Sequence, residues 1–357
     1  MNGSKATIKI NINATCPFIF LQGMKGNITL LLVTMVFLCI ACGESKREGV
    51  LKGREYTGSV LGKQYKIEVI GDSNNYQSEI DQILHQIHLQ FNLSDTNSTL
   101  FKINFSKTVN EPISIRDPER YFVRFFHLME EMHAQTNGHF DPTSVAYERI
   151  MAYSGGDPEF IPNFKEFENA VGFGPKTLEL KEEGANVSVI KHHPQVEWDV
   201  TDVAACWAMD LILNSLQKHG FSAMKASMSG KYLVMGEGPS DFNVVPMGFT
   251  GQLEDPQIRL KNRALCYKNA QHKKVYVDVS QQQLVDNDFQ WISVSAPTML
   301  ISEVFSKAFM CMDIQLVADW YNAHADSDIQ SSIIYGYGNK MDRATTEEFD
   351  QMIVVKP

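Results

Sequence analysis

A chain of 357 residues with 44% hydrophobic, 10% aromatic and 21% charged side chains can bury a sizeable core, which excludes wholesale disorder. Its 42 acids against 32 bases give a formal net charge of −10, the wrong sign for non-specific nucleic-acid binding. Mean hydropathy is −0.20 and only one long apolar run occurs, so the chain does not read as a polytopic membrane protein.

That run, Ile28 to Ala41, comes first in chain order. Its 14 residues fall short of a spanning helix, it follows Lys25, and it ends in small residues, the layout of a secretory leader. Its end, Leu38-Cys39-Ile40-Ala41-Cys42-Gly43, resembles a bacterial lipobox, with Cys39 standing where an aliphatic residue is usual. Residues 1–41 therefore read as a leader, with Met24-Lys25 an ordinary start and 1–23 an upstream extension. Cys42 reads as the lipidated residue of an envelope lipoprotein facing the periplasm, and 42–54 as its polar tether. An uncleaved anchor and an ordinary signal peptide are the alternatives. Loss of the leader removes three lysines and no acids, taking the net charge from −10 to −13. Cys206, Cys266 and Cys311 stay with the folded part. Scattered on apolar stretches, they form neither a disulfide framework nor a zinc site and read as buried thiols.

Tyr56 to Ile70 predicts two short strands around Gly62. Ile80, Ile83, Leu84, Ile87 and Phe91 share one face of a helix over 76–91. A second helix is expected from Asp117-Pro118 to Gly138. Thr177 to Asp199 alternates as a hairpin turning at Glu183-Gly184, and Asp202 to His219 reads as a helix closed by Gly220. Strands are expected at 221–234, 243–245, 264–268, 274–279, 290–294 and 331–337, with a helix from Pro297 to Met312. The mix predicts a single α+β domain over residues 55–357.

Generic catalytic patterns fail. His85 with His88, Glu130 with His133, and His192-His193 read as surface side chains, because a bundle dimetal site needs its Glu-x-x-His twice. No Gly-x-Ser-x-Gly elbow, P-loop or dinucleotide fingerprint occurs, and Gly172-Phe173-Gly174-Pro175 lacks a following helix. What stands out is Thr136-Asn137-Gly138-His139-Phe140-Asp141-Pro142-Thr143. A glycine ends a helix there, and a proline then fixes an aromatic and a carboxylate.

This segment resembles the Thr-x-Gly-x-Phe-Asp-Pro-Thr motif of the FAD:protein FMN transferase (ApbE) family. Other blocks follow in that family's order. Gly62 with Tyr65-Lys66-Ile67 looks like its first strand, and Phe91 to Ser98 with Asn104 is similar to its Phe-Ser-x-Tyr block. Trp198 to Asp210 resembles Leu-Asp-Leu-Gly-x-Ile-Ala-Lys-Gly-Tyr-Ala-Val-Asp. Val275 to Val279 stands where the family has His-Ile-Ile-Asp-Pro. Ser302 to Lys307 lies opposite its Ala-Asp-Ala-x-Ser-Thr helix.

The resemblance spans about residues 56–337 and implies a T-fold-like domain of mixed sheets packed with helices. It implies FAD as substrate, Mg²⁺, and transfer of FMN to Thr or Ser of an acceptor flavoprotein in the envelope. By resemblance, His139, Phe140, Asp141 and Asp199 would contact FAD, Asp278 would flank the acceptor as the catalytic group, and Asp202, Glu303 and Ser306 would serve the metal.

Departures fall on the same positions. Lys63, Ser94, Thr201, Ala205-Cys206, Val275 and Val279 replace family residues, Glu303 replaces an aspartate, and Lys307 replaces a threonine. An ammonium at i, i+4 from Glu303 favours a salt bridge in the vacated metal site, the alternative being a Lys307 that snorkels to solvent beside a shifted metal site. The expectation is therefore the family activity, reduced or lost. The alternative is a non-catalytic envelope lipoprotein that binds flavin or a protein partner, and the third an unrelated scaffolding lipoprotein with no flavin affinity.

Overall fold

Leu61 (φ 47°) and Gly62 (φ 81°) close the first hairpin between β1 (Gly53–Val60) and β2 (Lys63–Ile70). Two consecutive left-handed residues match the strand twist, and glycine takes such a φ without strain. The computed structural model describes residues 53–71, 74–153, 167–239, 242–244, 257–269, 277–279, 283–338 and 340–354. The expected leader and Cys42 lie outside these residues. β1 takes up Gly53 and Arg54, the last two residues of the expected tether.

β3 (Pro112–Ile115), β4 (Leu178–Glu183) and β5 (Asn186–Lys191) form a small antiparallel sheet in the order β3-β5-β4. Among the described residues the main sheet has eight antiparallel strands. Besides β1 and β2 it contains β6 (Ala223–Met228), β7 (Lys231–Gly236), β9 (Arg263–Asn269), β12 (Phe289–Ala296), β13 (Gln330–Tyr337) and β14 (Lys340–Thr345). Their order is β1-β2-β6-β7-β9-β12-β13-β14. β8 (Gln257–Ile258) pairs with β15 (Ile353–Val354), and β10 (Val277–Asp278) with β11 (Gln283–Leu284).

The described helices are α1 (Gln77–Phe91), α2 (Thr99–Phe105), α3 (Tyr121–Gln135), α4 (Val145–Tyr153), α5 (Thr201–Gln217), α6 (Met299–Met310), α7 (Ile314–Ala323) and α8 (Glu347–Met352). No helix among the described residues is long and apolar enough to cross a membrane. α5 and α6 are buried nearly all round; they pack on each other, and α6 also lies on β9 and β12. Trp198 is fully buried, its ring among those of Phe122, Phe125, Phe126 and Phe173.

The single α+β domain is as expected, with instructive differences. The helix expected from Asp117-Pro118 begins at Tyr121 because Arg120 is left-handed (φ 61°), and Asp117 reaches over to accept from Val123 N at 2.9 Å. Asn243 to Val245 was expected as a strand; within the described residues it contributes only the bridge from Val244 to Ile258. Of the strand expected over 274–279, the described part is Val277–Asp278. α2 has only two turns, too short for periodicity to register, and is held instead by its ends. Ser98 accepts from Phe101 N, while the buried Lys191 ammonium donates to the carbonyls of Asn104 (3.0 Å) and Ser106 (3.2 Å).

α5 and α6 are joined by one carboxylate. Asp210 is buried in α5 and accepts from Met299 N (2.7 Å) and Leu300 N (2.9 Å), two unsatisfied donors at the α6 N-terminus. Burial raises its pKa to about 7 against the pull of these two bonds. Asp210→Asn keeps one acceptor oxygen and loses the charge at the helix end. It is expected to cost about 1–2 kcal/mol, read as a lower urea midpoint at unchanged m-value.

Candidate functional site

The site begins where α3 stops. Asn137 (φ 52°) and Gly138 (φ 80°) turn the chain, and Gly138 N donates back to His133 O at 2.9 Å. Thr136 Oγ1 donates to Met132 O and accepts from Phe140 N, while the imidazole of His133 meets Phe140 O at 2.8 Å. His133 is thereby a brace for the motif and not the surface side chain its sequence neighbourhood suggests.

Asp141 is spent on structure. One of its carboxylate oxygens accepts from Thr143 N (2.7 Å) and Thr143 Oγ1 (2.5 Å), and the other from Phe173 N (3.1 Å). The Gly172-Phe173-Gly174 turn is its partner, a role no linear motif announces. Asp199 arrives by a separate route. Asn104 clamps Trp198 through its backbone N and O, each at 2.9 Å, and Asp199 N donates to Pro142 O. The Asp199 carboxylate is exposed and accepts from Thr201 N at 3.0 Å.

These segments enclose a cavity of about 260 Å³ lined by His139, Phe140, Asp141, Glu148, Asp199, Asp202, Lys268 and Lys307, among others. Its size falls just below the range of small-molecule sites, about 300 Å³ upward. Asp278, on β10, is buried, with an oxygen 3.5 Å from His139 Nδ1. That nitrogen is buried and makes no hydrogen bond among the described residues. The pair sets an imidazole nitrogen against a buried carboxylate at the cavity wall.

The floor is a charge cluster. Glu303 is fully buried in α6, one oxygen 2.6 Å from Lys268 Nζ and 3.9 Å from Lys307 Nζ, the other 3.7 Å from Lys231 Nζ. Asp202, in the first turn of α5, pairs with Lys63 and lies 3.8 Å from Lys307 Nζ. Burial alone would raise both carboxyls. The ammoniums of Lys268, Lys231 and Lys307 overcome it at Glu303, and those of Lys307, Lys231 and Lys63 at Asp202, so both are held below the ordinary range. Burial pulls Lys231 down, but Glu303 outweighs it and keeps the ammonium charged. Ser306 turns its hydroxyl onto Glu303 O of its own helix at 2.8 Å.

These residues do not fit a divalent cation. Mg²⁺ needs near-octahedral oxygen donors at about 2.1 Å, whereas the carboxylates here face four ammoniums and Ser306 donates elsewhere. The sulfurs of Cys206 and Cys266 lie within 4.8 Å of each other and of a Glu303 oxygen, but burial holds the Cys206 thiol protonated. Cys206 and Cys266 are buried free thiols, while Cys311 is half-buried and lines the cavity.

Sequence reasoning brings Asp202, Glu303 and Lys307 together but misses Lys231, Lys268 and Glu148. A signal existed for Lys268. It lies in phase with Ala264 and Cys266 on β9, the face turned to the main core, and a lysine on an apolar strand face demands a counter-charge.

Glu303→Gln removes the counter-charge of two mostly buried ammoniums and is expected to cost about 3–5 kcal/mol, measured as a shift in urea midpoint. Because the folded pKa values of Glu303 and Asp202 are lowered, their stabilisation is complete above the ordinary carboxylate range. It is lost as pH falls through that range toward the folded values. The acid limb of a stability–pH curve is accordingly expected to be shallower in Glu303→Gln.

The comparisons with known proteins bear on the family and the fold. The chain is 29% identical over 184 residues to the FAD:protein FMN transferase of Chlamydia muridarum, covering 51% of this chain and 55% of that protein. It is 24% identical over 186 residues to that of Vibrio cholerae, covering 50% and 54%. The chain thus spans about half the length of the curated relatives it matches. The apo flavinyl transferase ApbE of Pseudomonas stutzeri superposes with a TM-score of 0.68 at 16% identity, covering 86% of this chain and 98% of that one. The ApbE protein of Thermotoga maritima gives 0.64 at 18% identity, covering 84% and 99%. These last two likenesses concern the fold. With the family model matching residues 61–330, from the first hairpin turn to the start of β13, the chain belongs to the ApbE family.

Proposed function

We propose that this chain is an FAD:protein FMN transferase homologue that binds FAD in the cavity beside Phe140, and whose transfer of FMN to Thr or Ser of an envelope protein is reduced or lost. The observation that carries this reading is the cluster on the cavity floor: two carboxylates at the expected metal positions are engaged by Lys63, Lys231, Lys268 and Lys307.

FAD transfer breaks a diphosphate bond, and the attacking hydroxyl must lose a proton. His139 lines the cavity and would accept that proton, with Asp278 at 3.5 Å positioning the ring. Phe140 and Asp141 shape the wall, and the exposed Asp199 carboxylate would receive a ligand hydroxyl. What is weakened is the stabilisation of charge on the departing phosphate, which metal ions supply in such reactions to the extent of several kcal/mol. The leader sequence supports attachment to the envelope membrane through a lipid on Cys42, with the domain facing the periplasm and an acceptor flavoprotein within reach.

FAD titration of the full chain in detergent, followed by flavin fluorescence with AMP assayed in parallel, tests this. Binding is expected, with AMP release at least about a hundredfold slower than in a catalytically competent relative, the loss of about 3 kcal/mol of transition-state stabilisation. Comparable AMP release with a flavin-labelled acceptor would overturn the loss of activity. Absence of FAD binding would overturn the flavin reading itself.

A further inference from the structure

Lys191 is out of place for its position. It stands in phase with Val187 and Val189 on β5, on the face turned to the main core, where an apolar side chain would serve packing. It is 0% exposed, and lysine is almost never fully buried unless paired. Its ammonium meets backbone carbonyls: Asn104 O at 3.0 Å, Ser106 O at 3.2 Å and, at a longer 3.4 Å, Ile103 O. Burial pushes its pKa down to about 8, against the pull of Glu197 and with a lesser push from Lys107. At neutral pH it is therefore an ammonium, held in the interior at a cost.

The carbonyls it meets lie at the end of α2, where the last turn of a helix lacks donors of its own. They converge on one nitrogen only if the chain leaves α2 at that point, so the ammonium fixes where the last turn lies. At seven residues α2 has little cohesion of its own and depends on its ends. Asn104 sits in that last turn. Its Oδ1 accepts from Trp198 N and its Nδ2 donates to Trp198 O, each at 2.9 Å. The next residue, Asp199, donates its N to Pro142 O at 3.1 Å and brings an exposed carboxylate to the cavity. A chain of hydrogen bonds to backbone groups thus runs from Lys191 to an oxygen that faces the ligand.

Resting on the FAD-binding reading above, we propose that Lys191 is a positioning residue for FAD: through Asn104 and the Trp198 backbone it sets the Asp199 carboxylate where a ligand hydroxyl or ring N–H meets it. Lys191 touches no ligand itself. A methionine in its place would fill the same space but leave the carbonyls at the end of α2 without their donor, and Asn104 would lose its fixed position.

The test is a double-mutant cycle read as FAD affinity of the full chain in detergent. Lys191→Met keeps the reach of the side chain and removes its donors. Asp199→Ser leaves an oxygen for Thr201 N and withdraws the carboxylate from the cavity. Each single change is expected to weaken FAD binding about tenfold, and Lys191→Met to have less than about twofold further effect once Asp199→Ser is present. Equal losses with and without Asp199→Ser would show that Lys191 acts by another route and overturn the proposal. Native affinity in a folded Lys191→Met, or in Asp199→Ser, would overturn it while leaving the flavin reading intact. Should the methionine variant lack a cooperative thermal melt, Lys191→Gln, with a neutral donor on a shorter stem, takes its place in the cycle and the same outcomes decide. No FAD binding by the native chain would overturn both readings together.

Discussion

A fully buried carboxylate on α6 sets the terms for the rest of the structure. Glu303 cannot remain charged at no exposure without cations around it, and three ammoniums arrive from β7, β9 and the next turn of its own helix. Those contacts hold α6 to the centre of the main sheet. Asp210 completes the arrangement by fixing the start of α6 to α5, which brings Asp202 to the same floor. Stability and the chemistry of the cavity are therefore coupled, and a change to Glu303 alters both.

The aromatic–carboxylate motif plays a similar double part. Its most recognisable residue, Asp141, is engaged by Thr143 and Phe173, so its principal work is to fix the cavity wall. Asn104 does the same for the second wall through the backbone of Trp198. Side chains that a motif presents as ligand contacts can thus act one step away from the ligand, by holding a neighbour in place. His139 shows the reverse case. It occupies a variable position of the motif, yet its ring lines the cavity beside the buried Asp278.

An ammonium and a metal ion differ in what they can do for a phosphate. A lysine neutralises charge through an N–H donor on a mobile stem, whereas a metal holds several phosphate oxygens at once and can follow charge onto a leaving group. In this chain the two carboxylates at the cavity floor are engaged by lysines.

Much of the fold was legible from local patterns. Alternation marked β1, β2, β4, β5 and β9, the spacing from Ile80 to Phe91 marked α1, and motif order along the chain pointed to the family, because these features are written in near-neighbour periodicity. The i, i+4 relation of Glu303 and Lys307 was legible for the same reason. The short α2 was not, since two turns carry too little period and its stability comes from Ser98 and the distant Lys191. Nor were Lys231 and Lys268, whose approach to Glu303 depends on β7 and β9 being adjacent strands beneath α6. The sequence by itself determined α1, α3, α5 and α6, several strands of the main sheet, the family and one half of the charge cluster. Only the tertiary structure decided that four lysines meet two carboxylates, because strand order, not local spacing, brings those charges together.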